Sequence, residues 1–227
     1  MKYTYYGHST FLLELDNARI LFDPFISPNG LAKGIDINSI KCDYILLSHG
    51  HFDHVTDVEV IAKNNDATIV AAYELAAYYG AKNFKHHPMN IGGRWDFGTF
   101  SVKVVSAAHS SVLPDGTYSG NPVGFIINEG TKSIYYSGDT GLHMDMQLIG
   151  SYHKLERAFL CIGDNFTMGA DDAIIAADFI KCNKIIACHF DTFPDIMLDR
   201  DKAKALYKQN SIELIIPTIG DNISIKS

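Results

Sequence analysis

The chain opens on short apolar runs whose aromatic and branched residues predict strands. Lys2–Tyr6, Thr10–Leu15 and Arg19–Asp23 are rich in aromatic and branched residues, and the last two flank Asp16-Asn17, a hairpin turn. Pro24 and Ser27-Pro28-Asn29-Gly30 then open a loop. Tyr44–Leu47 predicts a buried strand that stops at Ser48, and a polar cluster from His49 to His54 follows at once. Helical spacing predicts Asp57–Asn64, with Val58, Ile61 and Ala62 on one face, and Glu74–Tyr79, which ends at Gly80. It also predicts Ala170–Lys181 and Asp199–Gln209; Asp171 and Asp172 suit the positive end of the former. Thr68–Ala71, Phe100–Ser106, Val123–Asn128, Ser133–Ser137, Phe159–Ile162, Ile185–Cys188 and Glu213–Ile216 are the remaining strands. Glu129-Gly130-Thr131-Lys132 is a second hairpin loop.

Hairpins lead, strands then alternate with helices, and a similar pattern returns later in the chain. No shift in composition marks a linker. These features predict a single α/β domain over residues 1–227, with helices outside two central sheets. The length suits one such domain with a sizeable core. Trp95 and the tyrosines are expected in that core.

Composition narrows the partners. The chain has 19 basic and 26 acidic residues, a net charge of −7, which repels a phosphate backbone and disfavours nucleic acid. The stretch Lys202 to Lys208 reads as the solvated face of a helix. No apolar run is long enough to cross a bilayer, and Met1–Tyr6 carries no apolar signal core. Cys42, Cys161, Cys182 and Cys188 form no C-x-x-C pair, which predicts reduced thiols and a cytoplasmic protein. A homo-oligomer is compatible with all of this.

The strongest chemical signal is Ser48-His49-Gly50-His51-Phe52-Asp53-His54. Imidazole and carboxylate are ligands for a borderline-soft divalent ion. A tight turn can point His49 and His51 one way and Asp53 and His54 toward a second point, with Gly50 supplying the backbone freedom. His109, Asp139 and His189 each follow an apolar strand, where open α/β sheets present their sites. Together these seven side chains suffice for two ions.

The order His49-x-His51-x-Asp53-His54, then His109, Asp139 and His189, resembles the metallo-β-lactamase superfamily across nearly the whole chain. Gly7-His8-Ser9, Gly163-Asp164-Asn165-Phe166-Thr167-Met168-Gly169 and His189-Phe190-Asp191-Thr192-Phe193-Pro194 are similar to its small metal-dependent hydrolases, related to the ascorbate-6-phosphate lactonases. The resemblance implies an αββα sandwich with the metals at one edge. It assigns His49, His51 and His109 to a first metal and Asp53, His54 and His189 to a second, with Asp139 bridging them.

That assignment implies two divalent ions, zinc above manganese or iron, given five histidines and two carboxylates. Two cations about 3.5–4 Å apart hold a water between them and lower its pKa toward about 7. The expected reaction is hydrolysis of an ester, lactone, amide or phosphodiester of a small metabolite, phosphorylated ones included. Asp53 is the candidate catalytic carboxylate, orienting the nucleophile or accepting its proton. Loss of metal is expected below about pH 6.

Departures from the family narrow it further. Only 189 − 139 = 50 residues separate Asp139 from His189, too few for the inserted domain of the messenger-RNA-processing nucleases. The short stretch after His189 lacks the helical substrate domain of the glyoxalase II type, and Asp139 stands where many true β-lactamases have cysteine. Two other readings stay open: an iron-centred oxidoreductase of the same fold, and a metal-stabilised binding protein without turnover.

Other candidates are less tied to the motif. His8, Asn165 and Thr192 are candidate substrate contacts; His8 could equally be a buried structural histidine. Asp164 and Asn165 could instead cap the helix at Ala170. His86, His87, His143 and His153 are expected on the surface. The pocket walls are expected from the loops Phe25–Ile35 and Ser110–Gly120.

Overall fold

The computed structural model describes residues 1–225. The first strands form an antiparallel meander: β1 (Lys2–Gly7), β2 (Thr10–Glu14) and β3 (Arg19–Phe22). Parallel strands β4 (Tyr44–Leu46), β5 (Thr68–Ala72) and β6 (His86–Met89) extend the sheet beyond β3, through α1 (Phe52–Val55), α2 (Val58–Asn65) and α3 (Tyr73–Ala81). The second sheet repeats the plan. Strands β7 (Arg94–Asp96), β8 (Ser101–Ser106), β9 (Val123–Glu129) and β10 (Lys132–Tyr136) are antiparallel. Then β11 (Arg157–Cys161), β12 (Lys184–Cys188) and β13 (Glu213–Ile215) run parallel, with α4 (Met146–Tyr152), α5 (Ala170–Phe179) and α6 (Arg200–Gln209) between them. A last strand, β14 (Asn222–Ser224), returns to pair with β1, so each sheet has seven strands among the described residues.

Successive side chains of a strand point to opposite faces, which decides the layer each one meets. In β2, Phe11 and Leu13 point into the core between the sheets, while Leu12 points to the outer face. In β3 and β4, Phe22 and Leu46 face inward, and Leu21 and Ile45 face outward. Val58, Ile61 and Ala62 of α2 cover that outer face with Leu75, Ala76 and Tyr79 of α3. Phe11 stacks on Phe159 of β11 with ring centroids 3.9 Å apart, which joins the two sheets at their centre. All five residues of β11 are buried, as expected for a parallel strand covered on both faces.

Several elements lie outside the sequence expectation. Strands β6, β7 and β14 and helix α4 carry no clear periodic signal. His86-His87-Pro88-Met89 is an edge strand, where proline is tolerated because its missing N–H is not required by an inner ladder. Trp95 is a correction: it sits on the edge strand β7, whose three residues are all exposed. Tyr73, Tyr118 and Tyr152 are also exposed, whereas Tyr3, Tyr5, Tyr79, Tyr135, Tyr136 and Tyr207 are buried. All four cysteines are buried free thiols. No helix among the described residues is long and apolar enough to cross a membrane.

Candidate metal centre

The strand ends of both sheets converge at one edge. His8 follows β1, Asp23 follows β3, and the His49–His54 turn follows β4. His109, Asp139 and His189 follow β8, β10 and β12 from the second sheet. The distant polar residues singled out in the sequence therefore meet in space.

They form two neighbouring groups. Ligand-capable atoms of His49, His51 and His109 lie within 4.8 Å of one another, and so do those of His8, Asp53, His54 and His189. Within the first group His49 Nε2 is 2.9 Å from His51 Nδ1. Asp139 Oδ2 stands between the groups, 2.8 Å from His189 Nε2, 3.2 Å from His54 Nε2 and 3.9 Å from His109 Nε2. Asp53 Oδ2 is 3.9 Å from both His54 Nε2 and His189 Nε2.

Asp23 orients this array, although the sequence reading treats it only as the end of a strand. It is fully buried, and its Oδ2 accepts hydrogen bonds from His54 Nδ1 at 2.8 Å, Ser48 Oγ at 2.5 Å and Tyr136 Oη at 2.5 Å. Its Oδ1 accepts from the Ser48 amide at 2.8 Å. Ser48 Oγ gives its proton to Asp23 and so accepts from His49 Nδ1, 2.9 Å away. That fixes the tautomer and turns the lone pair of His49 Nε2 toward His51. The signal was present: Asp23 is an acid directly behind an apolar strand, like Asp139.

The backbone is held in uncommon conformations here. His8, Asp23 and His189 have φ of 52°, 39° and 56°, the left-handed region that favours glycine. Surrounding bonds keep them there. Thr10 Oγ1 donates to the Asp23 carbonyl at 2.7 Å, and the His189 amide donates to the His8 carbonyl at 2.9 Å. Gly50 is needed for a reason other than turn freedom. Its φ lies outside the left-handed region, but a Cβ there would lie 2.2 Å from Ser119 Oγ.

The other candidates fall in different places. His8 lies behind Asp53 with a fully buried side chain: Nε2 is 3.1 Å from Asp53 Oδ2 and Nδ1 is 3.0 Å from Thr192 Oγ1. His8 and Thr192 thus brace Asp53 and do not line the pocket wall. Asn165 is exposed and outside the wall, while its neighbour Phe166 lines it. Neither Asp164 nor Asn165 caps α5; its N-cap is Gly169, and Asp164 Oδ1 accepts from the Asn165 amide at 2.9 Å. His86 is exposed, and His143 and His153 are half-buried.

A pocket of about 670 Å³ opens over the groups, bounded by His51, Asp53, His109, Asp139 and His189. Val112 to Pro114 and Gly116 supply one wall, as expected for the Ser110–Gly120 loop. The Phe25–Ile35 loop supplies no residue to this pocket.

Burial and mutual charge set the protonation states. Burial lowers the His54 pKa, but Asp139, Asp53 and Asp23 outweigh it and hold the imidazole well above its usual range. Burial raises the Asp139 and Asp53 values; opposing it, His189 and His54 hold Asp139, and His54 and His8 hold Asp53, below the usual carboxylate range. Burial lowers His49, His51 and His109, and pushes His8 down to about 4. Asp139 Oδ1 is buried without a hydrogen-bond partner. An electrophile with nitrogen and oxygen ligands satisfies such atoms, so the donor set fits divalent metal ions.

Known proteins resemble this chain in sequence and in fold. Residues 2–189 match the family described as the beta-lactamase superfamily domain. The chain is 51% identical over 226 residues to a UPF0173 metal-dependent hydrolase of Christiangramia forsetii, covering 99% of this chain and 100% of that one. A UPF0173 metal-dependent hydrolase of Bacillus subtilis is 45% identical over 204 residues, covering 88% and 89%. Among solved structures, a metallo hydrolase from the hyperthermophilic archaeon Ignicoccus hospitalis superimposes with a TM-score of 0.89 at 30% identity, covering 98% and 97%. An isothiocyanate hydrolase from Delia radicum gut bacteria shares the fold, with a TM-score of 0.79 at 19% identity, covering 99% and 98%.

Proposed function

The chain belongs to the UPF0173 metal-dependent hydrolases of the beta-lactamase superfamily, and on that premise we propose that it holds two divalent ions and cleaves an ester, lactone or phosphodiester bond of a small molecule. The observation that carries this reading is Asp139 Oδ2, placed between the two histidine groups. His49, His51 and His109 would hold one ion, Asp53, His54 and His189 the other, and Asp139 both. Zinc suits five imidazoles with two carboxylates. Four buried thiols without a disulfide support a reducing, cytoplasmic setting.

When bound, two such ions supply Lewis acidity and acidify a water at neutral pH. The rest falls to the chain. Asp53 lines the pocket and accepts a hydrogen bond from His8. From there Asp53 would orient the attacking water by accepting its hydrogen bond, or take its proton. His8 and Thr192 fix the Asp53 rotamer from behind. Asp23 and Ser48 aim His54 and His49 in the same way.

Metal analysis of natively produced protein, with hydrolysis of generic phosphodiesters and lactones, tests this. About two ions per chain and turnover abolished by Asp53→Ala with His54→Ala are expected. Turnover that survives the double substitution, or dominant iron with a redox signal and no hydrolysis, overturns it.

A further inference from the structure

Large apolar side chains exposed one at a time are ordinary. Here Phe52, Val112 and Phe166, each at least 40% exposed, come from three separate segments and face one pocket. Phe193, Leu113, Pro114 and Pro194 add apolar surface beside Asp53 and His109. The aromatic part is braced from beneath: Phe25 meets Phe52 edge-on at 5.6 Å between centroids, and Phe193 lies 6.1 Å from both. Convergent apolar surface over a polar centre is the usual form of a small-molecule site.

The charges of that wall matter as much. Among the described residues it contains no lysine or arginine, and its one ionisable side chain outside the histidine–carboxylate groups is Asp195. A desolvated phosphate or carboxylate on the far end of a substrate needs a cationic or N–H-rich partner. This wall offers apolar carbon and a repelling carboxylate.

We propose that the pocket takes an uncharged, apolar substituent of the scissile ester or lactone, an alkyl chain or aryl ring, and rejects substrates that carry an anionic group on that substituent. This rests on the hydrolase reading and narrows it: metabolites phosphorylated on that substituent, admitted by the sequence, are excluded.

Metal-loaded protein is assayed with p-nitrophenyl acetate, butyrate and hexanoate, and with p-nitrophenyl hydrogen adipate, which replaces the terminal methyl of the hexanoate by a carboxylate. The expected kcat/KM rises up to about fourfold per buried methylene and falls at least about tenfold from hexanoate to adipate. Phe166→Lys is expected to raise the adipate-to-hexanoate ratio. A flat chain-length series with adipate turned over as well as hexanoate overturns the pocket assignment, while the hydrolase reading stands on the cleavage itself. Absence of any ester cleavage counts against the hydrolase reading instead. Binding, followed by saturation-transfer NMR, then decides the pocket without turnover: hexanamide bound and adipamic acid unbound supports it, and equal binding overturns it.

Discussion

His54 Nδ1 lies 2.8 Å from Asp23 Oδ2, a contact that ties the buried ring to an acid 31 residues earlier in the chain. That acid also receives Ser48 from its own sheet and Tyr136 from the opposite one. It is therefore both a positioning residue and a tie between the sheets. Asp23→Asn keeps the shape but places an amide where three donors converge. We expect about a 10–100-fold loss of metal affinity, with the fold retained. Competition with a chromogenic chelator reads the affinity, and circular dichroism reads the fold; unchanged affinity removes Asp23 from this role.

His54 also sets a pH dependence. Its raised value means that the metal-free protein carries a proton on this ring at neutral pH. A metal ion bound by His54, as proposed, would expel that proton, so binding is expected to tighten as pH rises. Calorimetry in buffers of different ionisation enthalpy should show about one proton released from this ring at pH 7. In the metal-free chain the linked stabilisation is complete below the unfolded histidine value of about 6.5 and is lost as pH rises through the raised folded value. Binding that weakens with rising pH would contradict both statements.

His8 should behave as a brace for Asp53. His8→Ala removes the bonds to Asp53 and Thr192. We expect kcat to fall about 10–100-fold with KM little changed, because the substrate wall is untouched. A large rise in KM at constant kcat would instead place His8 in direct substrate contact.

Gly163 carries a packing constraint that controls the centre. A Cβ at that position would lie 2.0 Å from the His189 carbonyl oxygen, a backbone atom that cannot swing aside. Gly163→Ala should cost at least about 1–3 kcal/mol in denaturant unfolding and reduce metal content by displacing His189. Wild-type stability and metal content together would refute this.

Phe11 tests the core between the sheets. It stacks on Phe159 at 3.9 Å and on Phe22 at 4.4 Å, and is fully buried. Phe11→Ala should destabilise by about 3–5 kcal/mol, read as a lower denaturant midpoint. A loss under about 1 kcal/mol would mean that the sheets repack around the cavity.

Some of this was determined by the sequence alone. The aromatic and branched runs Thr10–Leu15 and Arg19–Asp23 mark strands, because such side chains fit a pleated, half-buried surface. The dense run from His49 to His54 is legible because so many metal-ligand side chains rarely crowd one loop without a shared task. His109, Asp139 and His189 are legible as polar residues behind apolar strands, and their family order supplies the rest. Other features waited for the tertiary structure. Strands of three or four residues, such as Arg94–Asp96 and Asn222–Ser224, carry too little pattern and exist because a neighbouring strand offers its hydrogen bonds. The orienting role of Asp23, the brace of His8 on Asp53 and the carbon wall from Phe52 to Phe193 depend on contacts between segments far apart in sequence. Spacing along a chain records which groups are available; which of them touch is decided by how two sheets close on each other.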